Sequence, residues 1–243
     1  MNHLKTFICT IGAAIVTSLA PASTLVLNSN PYSDSYGGGE FTANLSGLNL
    51  SSYSTKALVS INHNLGFETF CMEYGEEFVP GHTYSYTLSN SATGGDLPAG
   101  FDPLSKGTAW LYAQFSTGNL AGYSYALNST RNASALQLQL AFWYLEDETN
   151  PAYTTFAADH PGFNPSTNAF ISAACAQFGG LAGAKADANG AFGVSVLNLT
   201  SGSHDQYKNQ SQLYYHIVPE SGSTLALVAF AALSLIGLRR RVD

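Results

Sequence analysis

Three side chains able to do chemistry, Cys71, Gln139 and Cys175, stand out by where the sequence puts them. Gln139 lies inside Ala135–Glu148, a stretch with no Gly or Pro and many good helix formers, so a helix is expected there. At helical spacing Leu136, Leu140 and Trp143 share one face, and Leu138, Phe142 and Leu145 share another. A helix apolar nearly all round belongs in a core. Gln139 falls on the Leu136/Leu140/Trp143 face. A buried carboxamide without partners costs about 1–3 kcal/mol, so Gln139 needs either a hydrogen-bond network or a chemical reason to be there.

Cys71 and Cys175 remain once Cys9 is assigned to a leader segment (below). Two cysteines in an exported chain point by counting alone to a Cys71–Cys175 disulfide. Closing a loop of about 100 residues would add about 4–5 kcal/mol in the chain-entropy model. Two reduced cysteines buried as small hydrophobes are the other bland reading. A Cys71/His82 nucleophile–base pair is a further option.

Other chemistry-bearing groups are weaker. Glu146-Asp147-Glu148 ends the apolar helix against its macrodipole, which suits a solvated acidic end, a cation site or a lure for amines. Glu73, Glu76 and Glu77 follow Cys71 and read as exposed turn residues, or as groups that orient an amine or act as a base. His63, His82, His160, His204 and His216 have no ligand spacing, so no metal site and no cofactor are expected. Gly-x-Ser-x-Gly, P-loop and His-Glu-x-x-His patterns are absent, so no enzyme is assigned.

The elements that must position these groups are read from pattern and composition. Only 10% of the 243 residues are charged, Tyr and Phe number 14 each, and the formal charge is -7, with Arg239, Arg240 and Arg241 in the tail. This suits an extracellular, β-rich domain with a polar, uncharged surface, and argues against nucleic acid as a partner. Residues 1–22 have Lys5, an apolar run from Phe7 to Leu19 and Ala20-Pro21-Ala22, the layout of a secretory signal peptide. Residues 23–217 are long enough for one sizeable domain. Alternation predicts strands near 24–27, 57–61, 67–73, 83–88, 193–199 and 212–217, with a loop from Ser89 to Pro103. Helices are expected from Ser105 through about Phe115, from a cap at Asn132 or Ser134, and from Ser166 or Thr167 through about Lys185. The fold class is α+β: an antiparallel β-sheet or sandwich with about three inserted helices, flanked by the signal peptide and a C-terminal transmembrane tail.

That tail, residues 218–243, has Val218-Pro219-Glu220-Ser221, an apolar run from Thr224 to Leu238, then Arg239-Arg240-Arg241. In this order the blocks resemble the PEP-CTERM sorting tail, which exosortase-type enzymes process; Ser221 stands where that family usually has Pro. The resemblance implies an exported bacterial protein. It would be held transiently in the inner membrane, cut near Pro219-Glu220, and released or attached at the outer cell envelope in an exopolysaccharide matrix.

A second resemblance covers about Phe67 to Leu145. Phe70-Cys71-Met72-Glu73, followed by Leu138-Gln139-Leu140-Ala141-Phe142-Trp143, resembles the thioester domain of bacterial surface adhesins. Leu138 stands where that family commonly has Thr. Trp110-Leu111-Tyr112 also resembles one of its helices. The resemblance implies that the Cys71 sulfur condenses with the Gln139 carboxamide and expels ammonia. Phe70, Trp110, Phe142 and Trp143 would shield the thioester from water. A surface amine would then attack it and become covalently joined to Gln139. The expected role is therefore structural or adhesive, with exopolysaccharide or an amine-bearing surface ligand as partner. The alternative is a non-covalent matrix-binding module with a Cys71–Cys175 disulfide.

Overall fold

The computed structural model describes residues 23–33, 38–45, 50–61, 63–93, 101–150, 155–200 and 209–216. The expected signal peptide and the sorting tail, with Val218, Pro219, Glu220, Arg239, Arg240 and Arg241, lie outside the described residues. Among the described residues no helix is long and apolar enough to cross a membrane.

The chain forms β1 (Thr24–Ser33), β2 (Gly39–Leu45), β3 (Leu58–Ile61), β4 (Asn64–Thr69) and β5 (Thr83–Ser89). A small hairpin follows, β6 (Ser91–Thr93) with β7 (Phe101–Pro103), inside the segment expected to be a loop. Helices α1 (Lys106–Ser116), α2 (Ser129–Leu145), α3 (Phe156–Asp159), α4 (Ala169–Phe178) and α5 (Leu181–Ala184) come next, then β8 (Val194–Thr200) and β9 (Gln212–Tyr215). Seven strands make one antiparallel sheet in the order β3-β4-β2-β1-β5-β8-β9. The α+β reading holds at this level.

Local chemistry explains where the helices differ from expectation. Ser105 caps α1 as expected, its hydroxyl accepting from the Thr108 N–H. The central helix starts earlier than the apolar pattern implies: the cap is Asn128, which accepts from the Thr130 N–H, and not Asn132 or Ser134. The added first turn is Ser-Thr-Arg-Asn, which has no apolar periodicity to reveal it. The last of the expected helices, α4, opens at the Asn168 cap and not at Ser166 or Thr167, and stops at Gly179, whose φ of 71° is the left-handed conformation favoured by glycine. The short α5 resumes two residues later.

Helix α2 packs on β1 and β2, α1 packs on β8 and β9, and α4 packs against α1 and α2. β8 is buried from Val194 through Leu199, so both its faces are covered. The β6/β7 hairpin contributes to that cover, because the Asn198 side chain accepts from the Thr93 N–H and donates to the Ser91 carbonyl.

The sheet also curls until its two sides meet. Beyond the end of β4 the chain leaves β2 and reaches β9. Leu213 N–H donates to the Phe70 carbonyl at 3.1 Å, Met72 N–H to the Ser211 carbonyl at 2.9 Å, and the Thr69 hydroxyl to the Leu213 carbonyl at 2.6 Å. Cys71 lies opposite Gln212 in this seam.

Candidate functional site

The seam determines what Cys71 can touch. The two backbone bonds to β9 come from its neighbours, Phe70 and Met72, so the N–H and C=O of Cys71 point away from β9. They meet the Gln139 carboxamide. Cys71 N–H donates to Gln139 Oε1 at 3.0 Å, and Gln139 Nε2 donates to the Cys71 carbonyl at 2.8 Å. A single side-chain amide therefore occupies the place of a neighbouring strand. Both residues are 0% exposed. The sequence demanded partners for a buried Gln139, and these are the partners.

The thiol is equally enclosed. Gln212 Nε2 lies 3.5 Å from Cys71 Sγ as a donor. Burial pushes the thiol pKa far up and the nearby Glu73 adds to this, while the Gln212 contact works the other way. The thiol is therefore protonated at neutral pH, as a buried structural thiol is. Gln212 Oε1 is buried without a hydrogen-bond partner among the described residues.

Rings close the surroundings. Phe70 meets Phe142 edge-on at 5.3 Å and Phe115 at 5.1 Å, and all three are 0% exposed. Trp143, one turn beyond Gln139 on α2, meets Tyr74 edge-on at 5.0 Å. Trp110 is only half-buried, and its ring contact is with Phe178 of α4 at 6.3 Å. Of the four expected shielding residues, Phe70, Phe142 and Trp143 are thus core and Trp110 faces the α4 side.

Cys71 and Cys175 are not joined in a disulfide. Cys175 sits half-buried on α4. His82 is exposed and packs on Tyr84 at 4.9 Å. No group of three His, Cys, Asp or Glu side chains among the described residues is arranged to hold a metal ion.

The acidic residues depart most from expectation. Glu73 and Glu76 are not exposed turn residues but 1% and 5% exposed, and only Glu77 is open to solvent. Nor is Glu146-Asp147-Glu148 a solvated end: Glu146 and Glu148 are buried, and Asp147 alone is exposed, paired with Lys185. Glu146 accepts from the backbone N–H of Ser105 at 3.2 Å and from its hydroxyl at 2.7 Å, tying the end of α2 to the start of α1. Glu148 accepts from the Tyr74 N–H at 2.9 Å. Burial, then the facing carboxyls of Glu76, Glu148 and Asp102, pushes the Glu73 pKa up to about 10. Burial, then Glu146, Glu148 and Asp147, pushes Asp102 up to about 8. Glu146 is held at about 7, because hydrogen bonds from Thr108 and Ser105 offset part of the burial.

Two further features escaped sequence reasoning. Gly38 sits so close to α2 that a Cβ there would come within 2.9 Å of Trp143 Cη2 and 3.1 Å of Gln139 Cγ. The run Gly37-Gly38-Gly39 reads only as a turn signal in the sequence. A cleft of about 520 Å³ opens beside Trp143. Phe41, Tyr74 and Trp143 are among the residues that line it, with the acidic residues Glu76, Glu77 and Asp159.

No family model matches the sequence, and neither the curated proteins nor the solved structures contain a match to it.

Proposed function

We propose that this chain is an exported envelope or matrix protein, sorted through its C-terminal tail by an exosortase-type enzyme. Its folded domain attaches covalently to an amine-bearing partner through a Cys71–Gln139 thioester. The observation that supports the reading is the two-bond clasp of the Gln139 carboxamide on the Cys71 backbone in a water-excluded core.

The chemistry follows from that clasp. Sγ attacks Cδ of Gln139, the Cδ–Nε2 bond breaks, and the thiol proton leaves on nitrogen as ammonia. Cys71 N–H already donates to Oε1, the atom on which negative charge develops in the tetrahedral intermediate, so it serves as an oxyanion donor. The Cys71 carbonyl holds the departing nitrogen until it leaves. An incoming primary amine then attacks Cδ, the Cδ–Sγ bond breaks, and one of the amine's protons passes to sulfur, leaving an amide at Gln139 and a free Cys71 thiol. The raised thiol pKa makes Cys71 a reluctant nucleophile, so condensation is slow and the stored thioester is protected by the same burial that slows its formation.

The test is the intact mass of the purified protein before and after incubation with methylamine, beside Cys71→Ala. A mass short by one ammonia, replaced by a methylamine adduct at Gln139 and absent in Cys71→Ala, is the expected result. The full mass with no adduct overturns the thioester. The remaining reading would then be a matrix-binding module without covalent chemistry, which the cleft beside Trp143 favours.

A further inference from the structure

The described chain ends beside an exposed apolar strip. Trp110 of α1, Phe178 of α4 and Phe192, in the turn before β8, form a row of rings with successive centroids 6.3 Å and 5.8 Å apart. Phe192 is 39% exposed, Leu181 at the start of α5 is 37% exposed, and Trp110 and Phe178 are half-buried. Phe192 has φ 62° and ψ 10°, a left-handed conformation that a bulky side chain rarely adopts. Strain of this kind is concentrated where a protein holds a ligand or partner, and here it keeps a ring in solvent. Helices α1, α4 and α5 contain a single charged side chain, Lys106. The loop after α5 adds one of each sign, Lys185 and Asp187. His216, the last described residue, lies against the same turn. Its N–H donates to the Gly193 carbonyl at 2.8 Å, and a Cβ on Gly193 would fall within 2.3 Å of the His216 carbonyl oxygen. Phe192 is therefore next to the point where the chain leaves the domain.

We propose that this strip rests on the lipid bilayer while the sorting tail is still uncut. The inference rests on the sorting-tail reading and gives the folded domain a membrane-facing side. The exit point of the chain decides the occupant. After His216 only the seven residues 217–223 precede the apolar run that begins at Thr224, and seven residues reach at most about 25 Å. A tail inserted in the membrane therefore holds the Phe192 turn close to the membrane surface. Aromatic side chains favour that depth: the Trp110 ring enters the apolar boundary, and Phe178, Leu181 and Phe192 add apolar area. The protein carries a formal charge of -7, which anionic headgroups repel. Three helices without a carboxylate present the side on which that repulsion is weakest. Docking on this side also keeps Pro219-Glu220 within reach of a membrane-embedded processing enzyme.

The protein has two tryptophans, and Trp143 is 1% exposed, so Trp110 alone reports on the strip. The protein is produced in a bacterium without an exosortase-type enzyme, so that the tail stays uncut. It is then reconstituted in phosphatidylcholine–phosphatidylglycerol vesicles that contain a lipid spin-labelled near its headgroup. Flotation with the vesicles tests the tail, and quenching of tryptophan emission by the spin label tests the strip. The expected result is flotation with quenching that Trp110→Phe abolishes. Phe192→Gly removes the ring and the strained conformation together, so the fold tolerates it. It is expected to reduce the quenching while the protein still floats. Protein that does not float overturns the tail reading, and the inference with it. Protein that floats with Trp110 unquenched overturns the inference alone, whether the ring is open to acrylamide or is covered by a second copy of the chain. Quenching that survives Trp110→Phe, or that is unchanged in Phe192→Gly, overturns it as well.

Discussion

Helix α2 has a buried electrostatic assembly at each end, and the two are balanced in opposite ways. At its start Arg131 is 1% exposed and donates two parallel bonds to Glu40, Nε to Oε1 at 2.8 Å and Nη2 to Oε2 at 2.6 Å. Tyr123 donates to the same carboxylate. At its end Glu146 and Glu148 share a buried neighbourhood with Glu73 and Asp102, and the lysine nearby, Lys185, pairs with exposed Asp147 instead. Both assemblies oppose the helix macrodipole, cation at the N-terminus and anions at the C-terminus. In the first, the Glu40 charge is neutralised by Arg131 at any ordinary pH, and the pKa of Glu68 beside it is pushed up by burial and then by Glu40. In the second, the pKa values of Glu73, Asp102 and Glu146 are pushed up, and the protons they hold are ones the solution can remove. Equal burial therefore gives one end a permanent joint in the Arg131–Glu40 pair and the other a conditional one.

The largest effect expected is at the permanent end. Arg131→Met leaves Glu40 buried and uncompensated, and should cost about 3–5 kcal/mol in urea unfolding at every pH from 5 to 8. A loss confined to high pH would remove the contrast between the ends. Between the two ends, Gln139→Leu removes both partners of the Cys71 peptide groups and is expected to cost about 2–3 kcal/mol. That cost should also appear in the Cys71→Ala background, where no thioester can form.

The conditional end should respond to pH. Glu73, Asp102 and Glu146 bind their protons more tightly when folded than the ordinary carboxylate values near 4 to 4.5. Above those values the unfolded chain holds fewer protons than the folded one, so unfolding free energy falls as pH rises. Their contribution is complete below about pH 4. It is lost as pH climbs through about 7 for Glu146, 8 for Asp102 and 10 for Glu73. The urea midpoint should therefore decline steadily from pH 5 to pH 10. Glu73→Gln should raise stability at pH 8 by more than about 1.4 kcal/mol, the worth of one pKa unit, and flatten the decline. An unchanged slope would mean that Glu73 is not among the proton holders. Asp147→Ala, which breaks only the exposed pair with Lys185, should change stability by about 0–1 kcal/mol.

Sequence patterning reached the α+β class, most strands, and the burial of α2 with Gln139 inside it, because apolar periodicity reports which faces are covered. It did not reach the carboxyl cluster. Glu73, Glu76, Glu146 and Glu148 fall in polar runs that look solvated, and only the fold reveals that the chain after Cys71 and the end of α2 turn toward each other. Gly38 was invisible for a related reason: a glycine in a turn and a glycine under a tryptophan ring read alike until the ring is placed. The two-bond clasp on Cys71 could not be foreseen either, since it depends on the chain leaving β4 for β9.

That departure also sets an order of events. The enclosure of Cys71 uses Phe70 at one side of the seam and Gln212 and Leu213 at the other, separated by some 140 residues of chain. Contacts so distant in sequence form late, after loop-closure entropy has been overcome by everything between them. Without β9 the Cys71 thiol lacks its Gln212 partner and the seam that aims its peptide groups at Gln139. The Cys71–Gln139 clasp is therefore completed only when almost the whole domain has folded, so the sheet itself acts as a timer for the moment the two side chains are locked together.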